Sequence, residues 1–465
     1  MTEPQIAVVV LAAGHGTRMR SSLPKVLHQI AGRSMLGHVL DAAAALSPAR
    51  SGVVIGDHAP EVGAAAREID PEIFVCVQSP PQGTGDAVMK AGDVFADFDG
   101  VVLVLYADTP FVRVDTLAKM VAATQRENVA LTVLGFRPEE PGAYGRLKQA
   151  ENGDLTAIVE AKDAKPEDLK IGLVNSGVMA VNAAFLRKGL PLLTNANAKQ
   201  EFYLTDLAAI AVGDGLRCSI IEADEAEVMG VNSRHELSQA EARWQARARR
   251  RAMDQGVTLI DPQTVYFSYD TVIANDVIVE PNVWFGVGVR IDTGTRIKAF
   301  SHLEDSNIGA DVQIGPFARL RPGARLGKGT KVGNFVEIKK ADIGENVAIS
   351  HLAYIGDAHI GNGANIGAGT ITCNYDGYDK HLTEIGAGAF VGSNSSLVAP
   401  IKIGDGAYVG SGSVITKNVN NDALSVARGR QRDIPGWGKK FRTAKERNAE
   451  GNNAKKSALG EKNQK

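Results

Sequence analysis

From residue 273 onward a branched or bulky apolar residue recurs at every sixth position: Ile273, Val279, Phe285, Ile291, Ile297 and Leu303. The frame slips by one and resumes at Ile308, Ile314, Leu320, Leu326, Val332 and Ile338. It slips again to Ile343, Ile349 and Ile355, then to Ile360 and Ile366, and after an interruption runs from Ile385 through Val391, Leu397, Ile403 and Val409 to Ile415. Gly often follows the apolar residue, as in "IGPFARLRPGARLGKGTKVGNFVEI". A six-residue period held over about 140 residues predicts a parallel β-helix, in which each repeat supplies one short strand and a turn and three repeats close one triangular coil. The apolar residue points inward and stacks on its counterpart one coil away, while small residues let the chain turn the corner.

The first half has a different pattern. Apolar runs of strand length ("AVVVLAA", "GVVIG", "IFVCVQ", "VVLVLYAD", "ALTVLGF") alternate with helix-compatible stretches over 34–46, 85–95 and 113–126. This alternation predicts an open, mainly parallel, Rossmann-like α/β sheet. Between the halves, residues 233–255 hold helix formers throughout, no Pro, and end at Gly256, which predicts a linking helix. The organisation expected is an α/β domain over 1–232, the helix, a β-helix over 256–437, and a basic tail over 438–465 that is too poor in large apolar residues to fold on its own.

Composition narrows the function classes. Hydrophobic residues make up 44% of the chain and charged residues 22%, and the formal charge is -2. These values suit a soluble globular protein and give no general reason to expect a nucleic-acid or membrane partner. The arginine run of the linking helix has acidic residues at its start and no aromatic set, so it reads as a solvated face. No apolar stretch approaches the length of a membrane span, and no basic region precedes the first apolar run. Cys76, Cys218 and Cys373 are widely spaced and form no metal-ligand pattern, which fits a reduced, cytoplasmic compartment.

The candidate chemistry begins at "VVVLAAGHGTRM", residues 8–19. A strand that ends in Gly-rich backbone places its loop at the carboxyl edge of a parallel sheet, where ligands bind. Bare amides there can donate to phosphate oxygens at close range. Met19 stands where the Rossmann fingerprint needs its third Gly, and no Gly-Lys-Ser/Thr follows for a P-loop. Such a loop can be a plain structural turn. Arg18, and Lys25 in "LPKVL", favour the phosphate reading, because two cations behind a Gly loop suit a triphosphate.

"LAAGHGTRM" and "LPKVL" resemble the signature of sugar-phosphate nucleotidyltransferases. "QGTGDA" (82–87), "YADTP" (106–110), "YGR" (144–146), "IVEAKD" (158–163), "VNSGV" (174–178), "EFYLTD" (201–206) and "GVNSR" (230–234) continue the resemblance in order. With the repeats behind it, the chain to about residue 437 resembles the family of bifunctional bacterial enzymes that make UDP-N-acetylglucosamine. That family acetylates glucosamine 1-phosphate and transfers UMP from UTP to N-acetylglucosamine 1-phosphate. The resemblance implies a left-handed coil, a homotrimer and Mg²⁺. It places Leu11, Ala12, Ala13, Gly14, Arg18 and Lys25 on the nucleotide, with Tyr106 at the same site. Asp108 and Asn232 become metal ligands, and Gln78, Gly83 and Thr84 contact uracil. Gly145, Glu160 and Asn175 hold the sugar. Without the resemblance, Asp108 could be a cap, Gly145 a turn and Glu160 a surface residue. The family commonly has Tyr-Gly-Asp where this chain has Tyr106-Ala107-Asp108, and the added methyl narrows the backbone approach there.

Acetyl transfer needs a base to deprotonate an amine before it attacks a thioester, and an imidazole suits that role. Of His302, His351, His359 and His381, the resemblance assigns the base to His351. It assigns the sugar phosphate to Arg321, Lys339, Tyr354 and Asn365. Acetyl-CoA falls to Ala368, Ser393, Ser411 and Arg428, with Asn374 and Tyr375 on the interrupting loop "TCNYDGYDKHL" (372–382). Ser411 is often Ala in that family, which a backbone contact would tolerate. A single-activity nucleotidyltransferase whose β-helix only assembles or regulates is the alternative. It would lack the set of His351, Lys339 and Arg428 and the interrupting loop. A non-enzymatic regulatory subunit would have lost Asp108 or Lys25.

Overall fold

A computed structural model describes the backbone of residues 5–462 and the side chains of residues 5–451. The chain divides into two compact units, Met1–Gly329 and Thr330–Lys465.

The first unit opens with a nine-stranded sheet built on β1 (Ile6–Ala12), β2 (Arg50–Gly56), β3 (Phe74–Gln78), β4 (Val101–Tyr106), β5 (Val129–Phe136), the hairpin β6 (Arg146–Gln149) and β7 (Leu155–Val159), β8 (Val174–Asn182) and β9 (Arg217–Glu222). Their order is β9-β5-β8-β4-β1-β2-β3, with the hairpin attached to β8. All neighbours in that row pair in parallel except β8, which runs antiparallel to both β4 and β5. The apolar runs are continuous because both faces are covered. Ala7 and Val9 pack into one core, whereas Ile6, Val8 and Val10 pack into the other.

The predicted helices form over Met35–Ala44, Thr84–Lys90 with Gly92–Phe95, and Val114–Thr124. The linking helix spans Arg234–Asp254. At its start the Ser233 side chain accepts from Glu236 N, and Glu236 Oε2 reaches one residue past the cap to accept from Asn232 N at 2.6 Å, a variant of the capping box.

Short parallel strands follow in register one coil apart. In the first unit, Leu259, Val279, Ile297 and Ile314 lie in one ladder, and Phe285, Leu303 and Leu320 in another. In the second, Ile349, Ile366, Val391 and Val409 lie in one ladder. This is the parallel β-helix the period predicts. Every residue of the six-residue series is buried except Ile273, which is half-buried. A second inward position is plain only in the structure. Two residues before most anchors stands a small or β-branched residue that is also buried, such as Val289, Thr295, Ala318, Thr330, Ala364, Ala389 or Ser413. The hydroxyls among them are satisfied locally, as in Thr295 Oγ1 donating to Gly309 O at 2.9 Å.

The tail differs from its expectation. A helix spans Trp437–Lys462, and its side chains through Gly451 are exposed apart from Gly438 and Thr443, which are half-buried. Residues rich in Lys, Arg, Ala and Glu favour the helical backbone even where no apolar stripe exists to bury. Residues 463–465 lie outside the described backbone. Among the described residues no helix is long and apolar enough to cross a membrane, and the three cysteines are free.

Candidate functional site

The first constellation gathers at the carboxyl edge of the sheet. Leu11 and Ala12 end β1, Ala13 leads to Gly14 and Gly16, and the chain turns through Gly16 at φ 57° into the short 3-10 helix Thr17–Met19. A β-carbon on Gly16 would meet Lys25 Cβ at 2.6 Å, so bare backbone lets Lys25 close against the loop. The Lys25 ammonium donates to Asp108 Oδ2 at 2.5 Å and to Asn232 Oδ1 at 3.0 Å. Asp108 follows β4, and its carbonyl accepts from Val231 N at 2.9 Å, which brings Asn232 alongside. Two hard oxygens therefore converge on one cation, and the lysine holds that position here. A carboxylate and an amide oxygen are the donor types a small divalent ion takes when phosphates supply the rest, so these residues fit such an ion. Arg18 is exposed on the same loop. Ala107 is fully buried in the sheet's core and its amide donates to Leu11 O at 3.0 Å, so its methyl is absorbed by packing.

Beside the loop, the sheet edge carries Gln78, which ends β3 and is buried against Gly83 and Asp86. Thr84 Oγ1 accepts from Leu204 N at 3.1 Å and bonds the Tyr106 side chain. Burial pushes the Tyr106 phenol well above its ordinary value, with Asp108 adding to the effect. On the other side, Asn175 sits at a register shift in β8, and its backbone N–H donates to Gly145 O at 2.8 Å. The Glu160 carboxylate lies over Gly145 and accepts from Thr205 Oγ1 at 3.3 Å.

Burial pushes the Glu160 carboxyl above its ordinary value, although Lys199 and the Thr205 hydroxyl pull the other way. Folded protein thus binds the Glu160 proton more tightly than unfolded chain does. Below the unfolded pKa both states hold the proton and nothing is lost. As pH rises through the folded pKa, the buried charge costs stability. Glu160→Gln should therefore raise the melting temperature at pH 7 and lose that advantage below about pH 4, as thermal unfolding at both pH values would show. An equal gain at both would contradict the burial effect.

The second constellation lies on the β-helix of the second unit. His351 ends the strand Ala348–His351, in register with Asn334. Its Nδ1 faces Asn334 Oδ1 at 2.5 Å, which places the hydrogen on Nδ1 and leaves Nε2 with a lone pair. Sequence reasoning missed Asn334, because only the coil register brings it to the histidine. Lys339 pairs with Gly356, and a β-carbon on that Gly would meet the Tyr354 hydroxyl at 2.5 Å. Asn365 pairs with Ala348 on the strand that leads to His351. Ala368, Ser393 and Ser411 each follow by three residues the strand residues Asn365, Phe390 and Tyr408, which pair in register. Arg428 Nη1 donates to Ser411 O at 2.7 Å.

The interrupting loop leaves the coil later than expected, because Thr372 and Cys373 still belong to the coil strand Ile371–Cys373, paired with Leu397 and Val398. Asn374 is buried and bonds Asp357, Tyr375 is exposed, and His381 pairs with Asp376 at 2.7 Å. The His381 hydrogen bond, with two backbone amides, holds the Asp376 carboxyl well below the usual range. Arg321 directly follows the strand Arg319–Leu320 of the first unit. Three further residues join the site beyond those the sequence reading assigns: Asp86 against Gln78, Glu236 against Asn232, and His58, which stacks on His15 of the glycine loop at 4.1 Å.

Residues 8–166 match the family described as MobA-like NTP transferase domain. Residues 305–340 and 382–417 match the bacterial transferase hexapeptide family. The bifunctional protein GlmU of Paramagnetospirillum magneticum is 52% identical over 443 residues, 95% of this chain and 98% of its own. That of Azorhizobium caulinodans is 53% identical over 449 residues, 96% and 99% of the two chains. That of Rhodopseudomonas palustris (strain BisA53) is 53% identical over 447 residues, 96% and 98%. At 52–53% identity over 95–96% of its length to such relatives, the chain belongs to the GlmU family of bifunctional proteins.

Proposed function

We infer that the two constellations divide the two activities of this bifunctional transferase. The chain acetylates glucosamine 1-phosphate with acetyl-CoA and transfers UMP from UTP to N-acetylglucosamine 1-phosphate. The observation that carries the division is the pair of unlike sites: a cation held between two oxygens beside a glycine loop, and a histidine whose tautomer leaves one nitrogen basic.

In the uridyl step two polyanions must approach, so charge has to be cancelled and the pair aligned. The amides after β1, with Arg18 and Lys25, suit the triphosphate. Gln78, Gly83 and Thr84 read the base, and Gly145, Glu160 and Asn175 hold the sugar. Asp108 and Asn232 would hold Mg²⁺, which supplies positive charge against the phosphates when bound. No covalent nucleophile is needed. In the acetyl step His351 Nε2 takes a proton from the amine as the nitrogen attacks the thioester carbonyl and CoA leaves. Lys339, Tyr354 and Asn365 suit the sugar phosphate, and the column of Ala368, Ser393, Ser411 and Arg428, with Asn374 and Tyr375, suits CoA.

His351 is exposed on a flat coil face, which alone cannot exclude water. Copies packed side by side would enclose it, and this supports a homotrimer. The proposed location is the cytoplasm. The α/β half is better bounded after Asp254 than near residue 232, because Glu236 holds Asn232 in place. Incubating pure protein with glucosamine 1-phosphate, acetyl-CoA, UTP and Mg²⁺, and omitting one at a time, tests the reading. UDP-N-acetylglucosamine should form only with all four. Formation of UDP-glucosamine when acetyl-CoA is omitted would contradict the order of the steps.

A further inference from the structure

Gln78 and Asp86 are both buried, at 4% and 7% exposure, beside the glycine loop's end of the sheet. The Gln78 side-chain nitrogen donates to Asp86 Oδ2 at 2.7 Å and to Gly83 O at 2.9 Å. A carboxylate and a backbone carbonyl can only accept. Together they take both hydrogens of the amide, so its nitrogen must face inward and its oxygen is the only hydrogen-bonding atom left to offer a ligand. The anchor is itself well held. Asp86 Oδ2 also accepts from Gln82 N at 3.3 Å, Asp86 Oδ1 lies 4.0 Å from Lys90 Nζ, and Gly83 O also accepts from Ala87 N at 3.1 Å.

We propose that Asp86 is a specificity-determining positioning residue, which fixes the Gln78 amide so that Oε1 accepts from the base and selects a pyrimidine that carries a hydrogen at N3. This rests on Gln78 reading the base, as proposed above. Uracil has an N3–H to donate. Cytosine has a bare N3 lone pair, which would face the Gln78 oxygen and be repelled. Were the amide free to turn over, its nitrogen would meet cytosine N3 well and the choice between the two bases would narrow. A site built around one hydrogen-bond polarity rejects the other because a buried polar group is left unpaired. Asp86 touches no substrate in this scheme and acts only through Gln78.

The test compares kcat/KM for UTP and for CTP, with N-acetylglucosamine 1-phosphate as acceptor, in the wild type, Asp86→Asn and Asp86→Thr. Either replacement can donate as well as accept, so either removes one of the two obligate acceptors and leaves Gly83 O alone to oppose the turned-over amide, and Asn preserves shape if Thr perturbs packing. The expected result is a fall of about tenfold or more in the ratio of UTP to CTP, with thermal unfolding still cooperative. A purely structural Asp86 would lower turnover of both nucleotides together, and an unchanged ratio overturns the proposal. A wild-type protein that turns over neither nucleotide would instead overturn the uridyltransferase reading on which it stands.

Discussion

Replacing His351 by alanine should lower acetyl transfer by about 10²-fold or more and leave uridyl transfer within about twofold of wild type. The amine of glucosamine 1-phosphate is largely protonated at neutral pH and attacks only once it has lost that proton. His351 is suited to take it because Asn334 Oδ1 claims the Nδ1 hydrogen, leaving the Nε2 lone pair outward. Removing the imidazole removes the proposed base but no inward residue of the coil, since the side chain is exposed. The fold should survive, and the loss should appear in kcat for CoA release. Acetyl transfer that persists within about threefold of wild type would place the base elsewhere.

Asp108→Asn should lower uridyl transfer by about 10²-fold or more while sparing acetyl transfer. Asp108 supplies the negative charge in the pair of oxygens that hold the Lys25 ammonium and would hold Mg²⁺. An amide in its place keeps the shape but loses the charge that offsets a divalent ion. The change is nearly isosteric, and Asp108 sits after β4 rather than inside it, so the sheet should not be disturbed. Added Mg²⁺ should recover part of the activity, because weakened binding responds to concentration. A variant that lost both activities while still well folded would count against separate sites.

The fold was largely legible because its signals are repeated. Each inward residue of the β-helix votes separately for the same period, and burial of the series from Val279 to Ile415 reflects that redundancy. The β1 run was legible because both faces of that strand are covered, leaving no polar position to obscure it. The antiparallel direction of β8 was not legible, since an apolar run looks the same whichever way it enters a sheet. Asp86, Glu236 and Asn334 were missed for a related reason. Each matters only through a hydrogen bond whose partner is set by a turn or a register, at Gln78, Asn232 and His351 in turn. The tail helix was missed because the expectation weighed burial alone, and helical backbone can form without it.

The central claim is that one chain carries two separate sites joined by a released intermediate, and purified His351→Ala and Asp108→Asn proteins test it when mixed. Given glucosamine 1-phosphate, acetyl-CoA, UTP and Mg²⁺, each variant alone should make UDP-N-acetylglucosamine at about one hundredth of the wild-type rate or less. Mixed in equal amounts, they should restore it to about half or more of wild type. The Asp108 variant then releases N-acetylglucosamine 1-phosphate and the His351 variant uses it. A mixture no faster than either variant alone, although each retains its own spared activity, would contradict two separate sites.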